Sequence, residues 1–303
     1  MCYNGAVSSI TRCKTRCDKA PSVYINSHTF FVKTESDLIW TSRDRSVARQ
    51  LSMPLLGGGM EIVMGIIRQG GKNTSVLILA AGSGERFSAG RVIKKQFVQV
   101  AGIPAILRCA EAFESLRSVK EIIVVTGRDD IGRVHEILDG KITKLTSVVC
   151  GGATRQESAM AGLGAVSDSA DYIAIHDAAR CLVTPDVITR VIDEAVRCGA
   201  AAAAERAVDT VKDANASGVV ENTIDRTHVW LVRTPQVFKA NMYRAGVYMA
   251  HRDGAAVTDD CMLVERLGFK VQLVDCGHEN LKITYPSDLA AAEAILQARQ
   301  NNI

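Results

Sequence analysis

No run of 18 or more apolar residues interrupts the 303-residue chain, so no membrane-spanning helix is expected. No Cys-x-x-Cys pair occurs either. The nine cysteines (Cys2, Cys13, Cys17, Cys109, Cys150, Cys181, Cys198, Cys261 and Cys276) are scattered and odd in number. Only Cys13 and Cys17 lie close together, and nothing beside them completes a zinc site. Reduced thiols in a cytosolic-type compartment are the expectation. A basic surface is also missing from most of the chain. Residues 1–73 hold ten Lys/Arg against five Asp/Glu, a balance of +5, while the remainder holds 26 against 28, a balance of −2. A folded part without basic excess gives no electrostatic ground for nucleic-acid binding.

Residues 1–73 also lack a sustained period of 3.6 or 2 and the apolar core of a secretory signal. "MPLLGGGM" at 53–60 is a glycine-rich break. Three readings compete for this stretch: an organellar transit peptide, a disordered extension, or an upstream reading of a gene whose start is Met60 or Met64. The last is favoured, and residues 1–59 are expected to carry no chemistry. The expected location is cytoplasmic, or the plastid stroma if 1–73 include a transit peptide.

From Thr74 onward the pattern alternates. Strands are expected at 75–81, 121–127, 145–150, 171–177, 201–207 and 269–276. Helical patterns fall at 104–115, 129–139, 155–166, 185–198, 240–252, 258–267 and 286–300. Apolar strands alternating with amphipathic helices predict a mostly parallel sheet covered on both faces. Such Rossmann-like α/β sheets bind ligands beyond the carboxyl ends of their strands. Residues 207–237 break the rhythm with two β-like stretches around Asn-Ala-Ser-Gly. They predict a hairpin arm that leaves the main sheet, marginal alone and packed on a partner subunit.

Three strand ends carry polar groups. In "SVLILAAGSGERFSAGRVIKKQF", 75–97, Gly82 and Gly84 follow the first strand, with Arg86 and Lys95 close behind. Glycine lets successive backbone N–H groups form an anion-binding concavity, and two cations beside it suit a triphosphate. The Walker pattern GxxxxGK[ST] is absent, and G-x-G-x-x-G lacks its third glycine. In "CGGATRQESAMAGL", 150–163, Gly151 and Gly152 precede a helix start bearing Arg155 and Ser158, which suits an acceptor-rich ligand. The plain alternative is a turn capped by Thr154 or Ser158. In "AIHDAAR", 174–180, Asp177 ends an apolar strand, where a carboxylate could share Mg²⁺ with phosphate oxygens or simply cap a turn. His176 points to the opposite face and reads as structural.

With "AAGSGERF", "KKQF", "GGATRQESAMAGL", "HDAAR", "VDTVK", "DRTHVWLVRTPQVF", "VTDD" and "NLKIT" in this order, residues 74–299 resemble the 2-C-methyl-D-erythritol 4-phosphate cytidylyltransferase family. The resemblance implies a nucleotidyltransferase-type fold and transfer of CMP from CTP to a polyol phosphate, with Mg²⁺, in non-mevalonate isoprenoid synthesis. It implies that Ala80, Ala81, Gly82, Ser83 and Gly84 cradle the triphosphate, while Arg86 and Lys95 neutralise charge at the α-phosphate and leaving pyrophosphate. Gly152, Arg155, Ser158 and Ala178 would contact the nucleotide, and Asp177 the metal. Arg180, Thr258 and Lys282 would bind methylerythritol phosphate. Thr210 and Arg226 would reach a neighbour's substrate from the arm, making a homodimer. The chain departs from the family in carrying Lys94-Lys95-Gln96 where Pro-Lys-Gln is usual, so Lys94 competes with Lys95 for the catalytic role. Cys181 and Ala207 also replace common prolines. The rivals are a ribitol-5-phosphate cytidylyltransferase and a non-catalytic nucleotide-binding regulator.

Overall fold

The computed structural model describes residues 22–26, 29–33, 38–42, 72–82, 84, 87 and 94–301. The chain divides at about residue 70 into two units. Within the first, β1 (Ser22–Asn26), β2 (Thr29–Lys33) and β3 (Leu38–Ser42) pair antiparallel in that order, in a stretch where the sequence reading assigned no strand.

The second unit opens with β4 (Thr74–Leu79), then the short pair β5 (Gln99–Val100) and β6 (Ile103–Pro104), and helix α1 (Ala105–Glu114). Strand β7 (Val119–Thr126), helix α2 (Ile131–Leu138), strand β8 (Leu145–Cys150) and helix α3 (Arg155–Leu163) follow. Next come β9 (Tyr172–Asp177), α4 (Pro185–Cys198) and β10 (Ala200–Arg206). The hairpin strands are β11 (Val211–Ala214) and β12 (Val220–Ile224), and the chain returns through β13 (Trp230–Lys239). Helices α5 (Ala240–Arg252) and α6 (Cys261–Glu265), strand β14 (Gln272–Asp275) and helix α7 (Ser287–Asn301) complete it.

Seven strands form the main sheet in the order β14-β10-β13-β9-β4-β7-β8. Only β13 runs against the others. Alternate residues of the parallel strands feed two cores. Val76, Ile78, Ile122, Val124 and Ala174 pack with α1, α2 and α4, whereas Leu77, Ile123, Ile173 and Ile175 pack with α5 and α6. Burial on both faces is why these strands read as continuous apolar runs. Pro185 opens α4 behind the cap Thr184, whose hydroxyl accepts from Val187 N, and Gly199 closes it in the left-handed region at φ 96°.

Two expectations need correction. The arm is shorter than 207–237, because Trp230–Lys239 is a strand of the main sheet, paired with both β9 and β10. Arg233, Thr234, Pro235 and Gln236 hide its period. Pro235 sits where the ladder with β10 shifts register, between the partners of Ala202 and Ala204, which is a place that tolerates a residue without an N–H. Helix α6 begins at Cys261 rather than at 258, and the Asp259 carboxylate accepts from Met262 N at 3.1 Å across its first turn.

Candidate active site

The chain leaves β4 outward to β7 and β8, then crosses back to β9 on the other side of β4. Parallel α/β sheets open a crevice at such a reversal, beyond the carboxyl ends of the strands. A cavity of about 470 Å³ lies there. The end of β4 contributes Ala80, Ala81 and Gly82. The end of β8 and the start of α3 contribute Gly152, Arg155 and Ser158. The end of β9 contributes Asp177 and Ala178, and Lys95 and Lys282 also line the cavity. The two glycine turns meet closely. A Cβ on Gly151 would lie 2.6 Å from Ala81 Cβ and 2.7 Å from Ser158 Oγ. Only glycine permits that approach.

Asp177 is the electrostatic centre. It is 8% exposed. Its carboxylate accepts from Lys282 Nζ at 2.7 Å and from Arg155 Nε at 3.4 Å, with Arg180 Nε at 3.9 Å. Burial alone would raise its pKa, but the charges of Lys282 and then Arg155 outweigh burial and hold the carboxyl well below the usual range. Arg155 is shared: its Nη1 donates to Asp260 Oδ2 at 2.6 Å. Burial opposes its charge, yet Asp260 and Asp177 together hold the guanidinium even more firmly protonated than usual. Asp260 is 1% exposed and also accepts from Tyr243 OH at 2.7 Å, while its N–H donates to Gln236 Oε1 at 3.0 Å.

The start of α3 is capped from within. Thr154 and Glu157 form a capping box, and Gly152 N donates to Ser158 Oγ at 3.2 Å. Of the two capping alternatives, Thr154 is the helix cap, while Ser158 lies within the helix and its hydroxyl accepts from the turn. The two adjacent lysines separate clearly. Lys95 lines the cavity, whereas Lys94 Nζ pairs with Asp130 Oδ2 at 2.6 Å. Gln96, 2% exposed, donates through Nε2 to Ala80 O at 2.9 Å and ties this segment to the end of β4.

Other expected residues lie elsewhere. Ser83 and Arg86 fall outside the described residues. Gly84 has φ 70° and stands beside Lys95, whose Cγ would be 3.6 Å from an added Cβ. Arg180 does not line the cavity but donates through Nη1 to Asn280 O at 3.0 Å. Thr258 lines a second hollow of about 500 Å³, with Val232, Cys261, Met262 and Leu273 among its walls. Thr210 and Arg226 are exposed on the arm, and Arg226 donates to Val208 O. His176 is fully buried, edge-on to Phe113 at 5.1 Å, with ring contacts to Thr234 Oγ1 and Arg180 O. The residues the sequence reading missed are Asp130, Asp260, Gln236 and Tyr243. "VTDD" offered a signal for Asp260, since Arg155 needs a buried counterion, but nothing local says which acid supplies it.

A sheet of six parallel strands and one reversed, with cations and an ionised carboxylate around glycine turns at its switch point, defines a nucleotidyltransferase of the Rossmann-like class. The sequence profile of 2-C-methyl-D-erythritol 4-phosphate cytidylyltransferase matches residues 74–298. A relative of that name from Synechococcus sp. (strain CC9902) is 42% identical over 227 residues, covering 74% of this chain and 98% of the relative. The crystal structure of the Thermus thermophilus protein of the same name aligns with a TM-score of 0.60 and 32% identity, covering 74% of this chain and 98% of that one. A 4-diphosphocytidyl-2C-methyl-D-erythritol synthase from Anaerococcus prevotii aligns with a TM-score of 0.68 at 27% identity, covering 77% and 99%. The chain belongs to the 2-C-methyl-D-erythritol 4-phosphate cytidylyltransferase family.

Proposed function

We propose that the cavity at the ends of β4 and β9 is where CMP passes from CTP to 2-C-methyl-D-erythritol 4-phosphate. The reaction is in-line attack by a phosphate oxygen of the polyol phosphate on the α-phosphorus of CTP. A new P–O bond forms as the bond to the β-phosphate oxygen breaks, and pyrophosphate leaves. The nucleophile is already anionic, so no strong base is required. Catalysis then rests on positioning and on neutralising charge in the transition state.

The observation that carries this reading is the charge of the cavity. Among the described residues that line it, Lys95, Arg155 and Lys282 stand against one ionised carboxylate, Asp177, which Arg155 and Lys282 contact directly. The lining stays net positive with that carboxylate charged, which suits two phosphorylated substrates. The N–H groups following β4, with Lys95 and Arg86, hold the triphosphate. Gly152, Arg155, Ser158 and Ala178 hold the nucleoside side. Lys282, which lines the cavity, receives the polyol phosphate.

The residues also fit Mg²⁺. Among the described residues no group of three or more acidic, His or Cys side chains is assembled, which argues against an all-protein cage. One buried ionised carboxylate beside a phosphate cradle matches an ion that takes one or two carboxylates and fills its remaining positions with phosphate oxygens and water. Asp177 would hold it, and the ion would supply further neutralisation of the triphosphate.

The arm supports a homodimer. Both hairpin strands are solvent-exposed almost throughout, and Val208, Val219, Val220 and Leu231 are 74%, 61%, 53% and 52% exposed around it. A lone two-stranded ribbon is marginal in water, and clustered exposed apolar side chains mark an interface. A second copy covers these residues, and Thr210 and Arg226 complete that copy's substrate site.

The test is pyrophosphate release from CTP, with and without Mg²⁺, comparing methylerythritol 4-phosphate with ribitol 5-phosphate. Strong preference for the first, dependent on Mg²⁺, supports the assignment. Preference for ribitol phosphate moves the polyol assignment while keeping the CTP site. Silence with both overturns the reading.

A further inference from the structure

The cavity-facing Lys95 sits in a segment held at both sides. Before it, Lys94 Nζ meets Asp130 Oδ2 at 2.6 Å, and the Asp130 side chain is 13% exposed against 39% for Lys94. After it, Gln96 is anchored to Ala80 O, and Phe97 lies under the Arg133 guanidinium at 4.6 Å. Residues 95–97 form a single 3₁₀ turn, and Phe97 N donates to Lys94 O at 2.9 Å. One turn of 3₁₀ helix has little stability of its own, so its direction depends on these anchors. Gln96 and Phe97 fix the far side. On the near side, the Lys94–Asp130 pair is the charged anchor at the residue that presents Lys95.

Asp130 belongs to a different element from the lysines. It precedes α2 in a short turn that begins at Gly127, directly after β7. A Cβ on Gly127 would lie 3.2 Å from Asp130 Oδ2, so this glycine leaves room for the carboxylate. The ion pair therefore ties the end of the segment following β4 to the end of β7, the strand beside it.

We infer that Asp130 is a positioning residue for cytidylyl transfer: by holding Lys94 it sets the direction in which Lys95 enters the cavity. This rests on the proposed role of Lys95 at the triphosphate. The backbone offers an independent handle. Lys94 has φ −73° and ψ 139°, which is within the range a proline ring imposes. A proline at 94 should fix the same geometry without any charge.

The test uses the full chain and steady-state pyrophosphate release. Asp130→Asn and Lys94→Met should each lower kcat by roughly ten-fold or more, since a small misplacement of a catalytic group costs on that order, with KM for CTP little changed. The two changes alter local charge in opposite senses, so equal losses identify the pair rather than net charge. Combining them should add no further loss. Lys94→Pro placed in the Asp130→Asn chain should restore most of kcat. Unchanged kcat in Asp130→Asn alongside a collapsed Lys95→Ala overturns the inference and leaves the Lys95 role standing. Full activity in Lys95→Ala overturns that role instead. A loss of kcat in Asp130→Asn that Lys94→Pro fails to restore also overturns the positioning role, and thermal unfolding of the same variants shows whether it follows lost stability.

Discussion

The ends of β4 and β9 and the arm around β11 and β12 use polar residues in opposite ways. At the strand ends, each charge is held by another. Asp177 is shared among Lys282, Arg155 and Arg180, and Arg155 is held in turn by Asp260. On the arm, Thr210 and Arg226 stand exposed among exposed valines. The first region is preorganised: its dipoles and charges are in place before substrate arrives, which is what electrostatic stabilisation requires. The second is a paired ribbon whose side chains stay open to solvent. Under the proposed function, a chain finishes the nucleotide side of its site alone and a second copy supplies Thr210 and Arg226 to the polyol side.

The sharpest way to break this contrast is at Asp177. Asp177→Asn removes the carboxylate that Lys282, Arg155 and Arg180 share. Turnover should fall by roughly 10³-fold, the scale for losing a preorganised electrostatic group, as read by pyrophosphate release. Near-normal turnover would mean that the charge centre is structural.

A second test separates core from surface by pH. Burial, opposed by Asp177, lowers the pKa of His176 to about 4 from 6.5. A depressed histidine stays neutral in the fold while the unfolded chain protonates below 6.5. Stability is therefore full above that value and is lost as pH falls toward 4, by about 3 kcal/mol in all. Urea unfolding of His176→Gln at pH 7 and pH 5 should show a smaller drop than the parent chain. An equal drop would assign the acid sensitivity to other groups.

The arm should respond more mildly. Arg226→Ala is expected to raise KM for the polyol phosphate by about ten-fold, the effect of one charge-assisted contact, with CTP binding intact. Mixed dimers of Arg226→Ala with Asp177→Asn should recover part of the activity, because one intact composite site can form. No recovery would remove the shared-site idea. Val220→Asp should shift the protein toward monomer in sedimentation at low concentration, with thermal unfolding of the monomer little altered. An unchanged dimer would place the interface elsewhere.

Much of this was legible along the chain. Apolar runs separated by 3.6-residue patterns located the parallel strands β4, β7, β8, β9 and β10 within a residue or two. Glycines and a carboxylate at three strand ends marked the cavity. The exceptions share one cause. The period of β13 is hidden by Arg233, Thr234, Pro235 and Gln236, and only its place between β9 and β10 makes it a strand. Lys94 and Lys95 are chemically alike, and Asp130, 36 residues from Lys94, separates their tasks.

The sequence by itself determined the α/β alternation, the glycine turns, the cations near them and the exposed hairpin, because each is a matter of local period or turn chemistry. The tertiary structure alone decided which charges pair. Arg155 meets Asp260 and Lys282 meets Asp177 across 105 residues of chain in each case. A buried charge requires a partner in space, and no local pattern records which distant residue the folded sheet will bring to it.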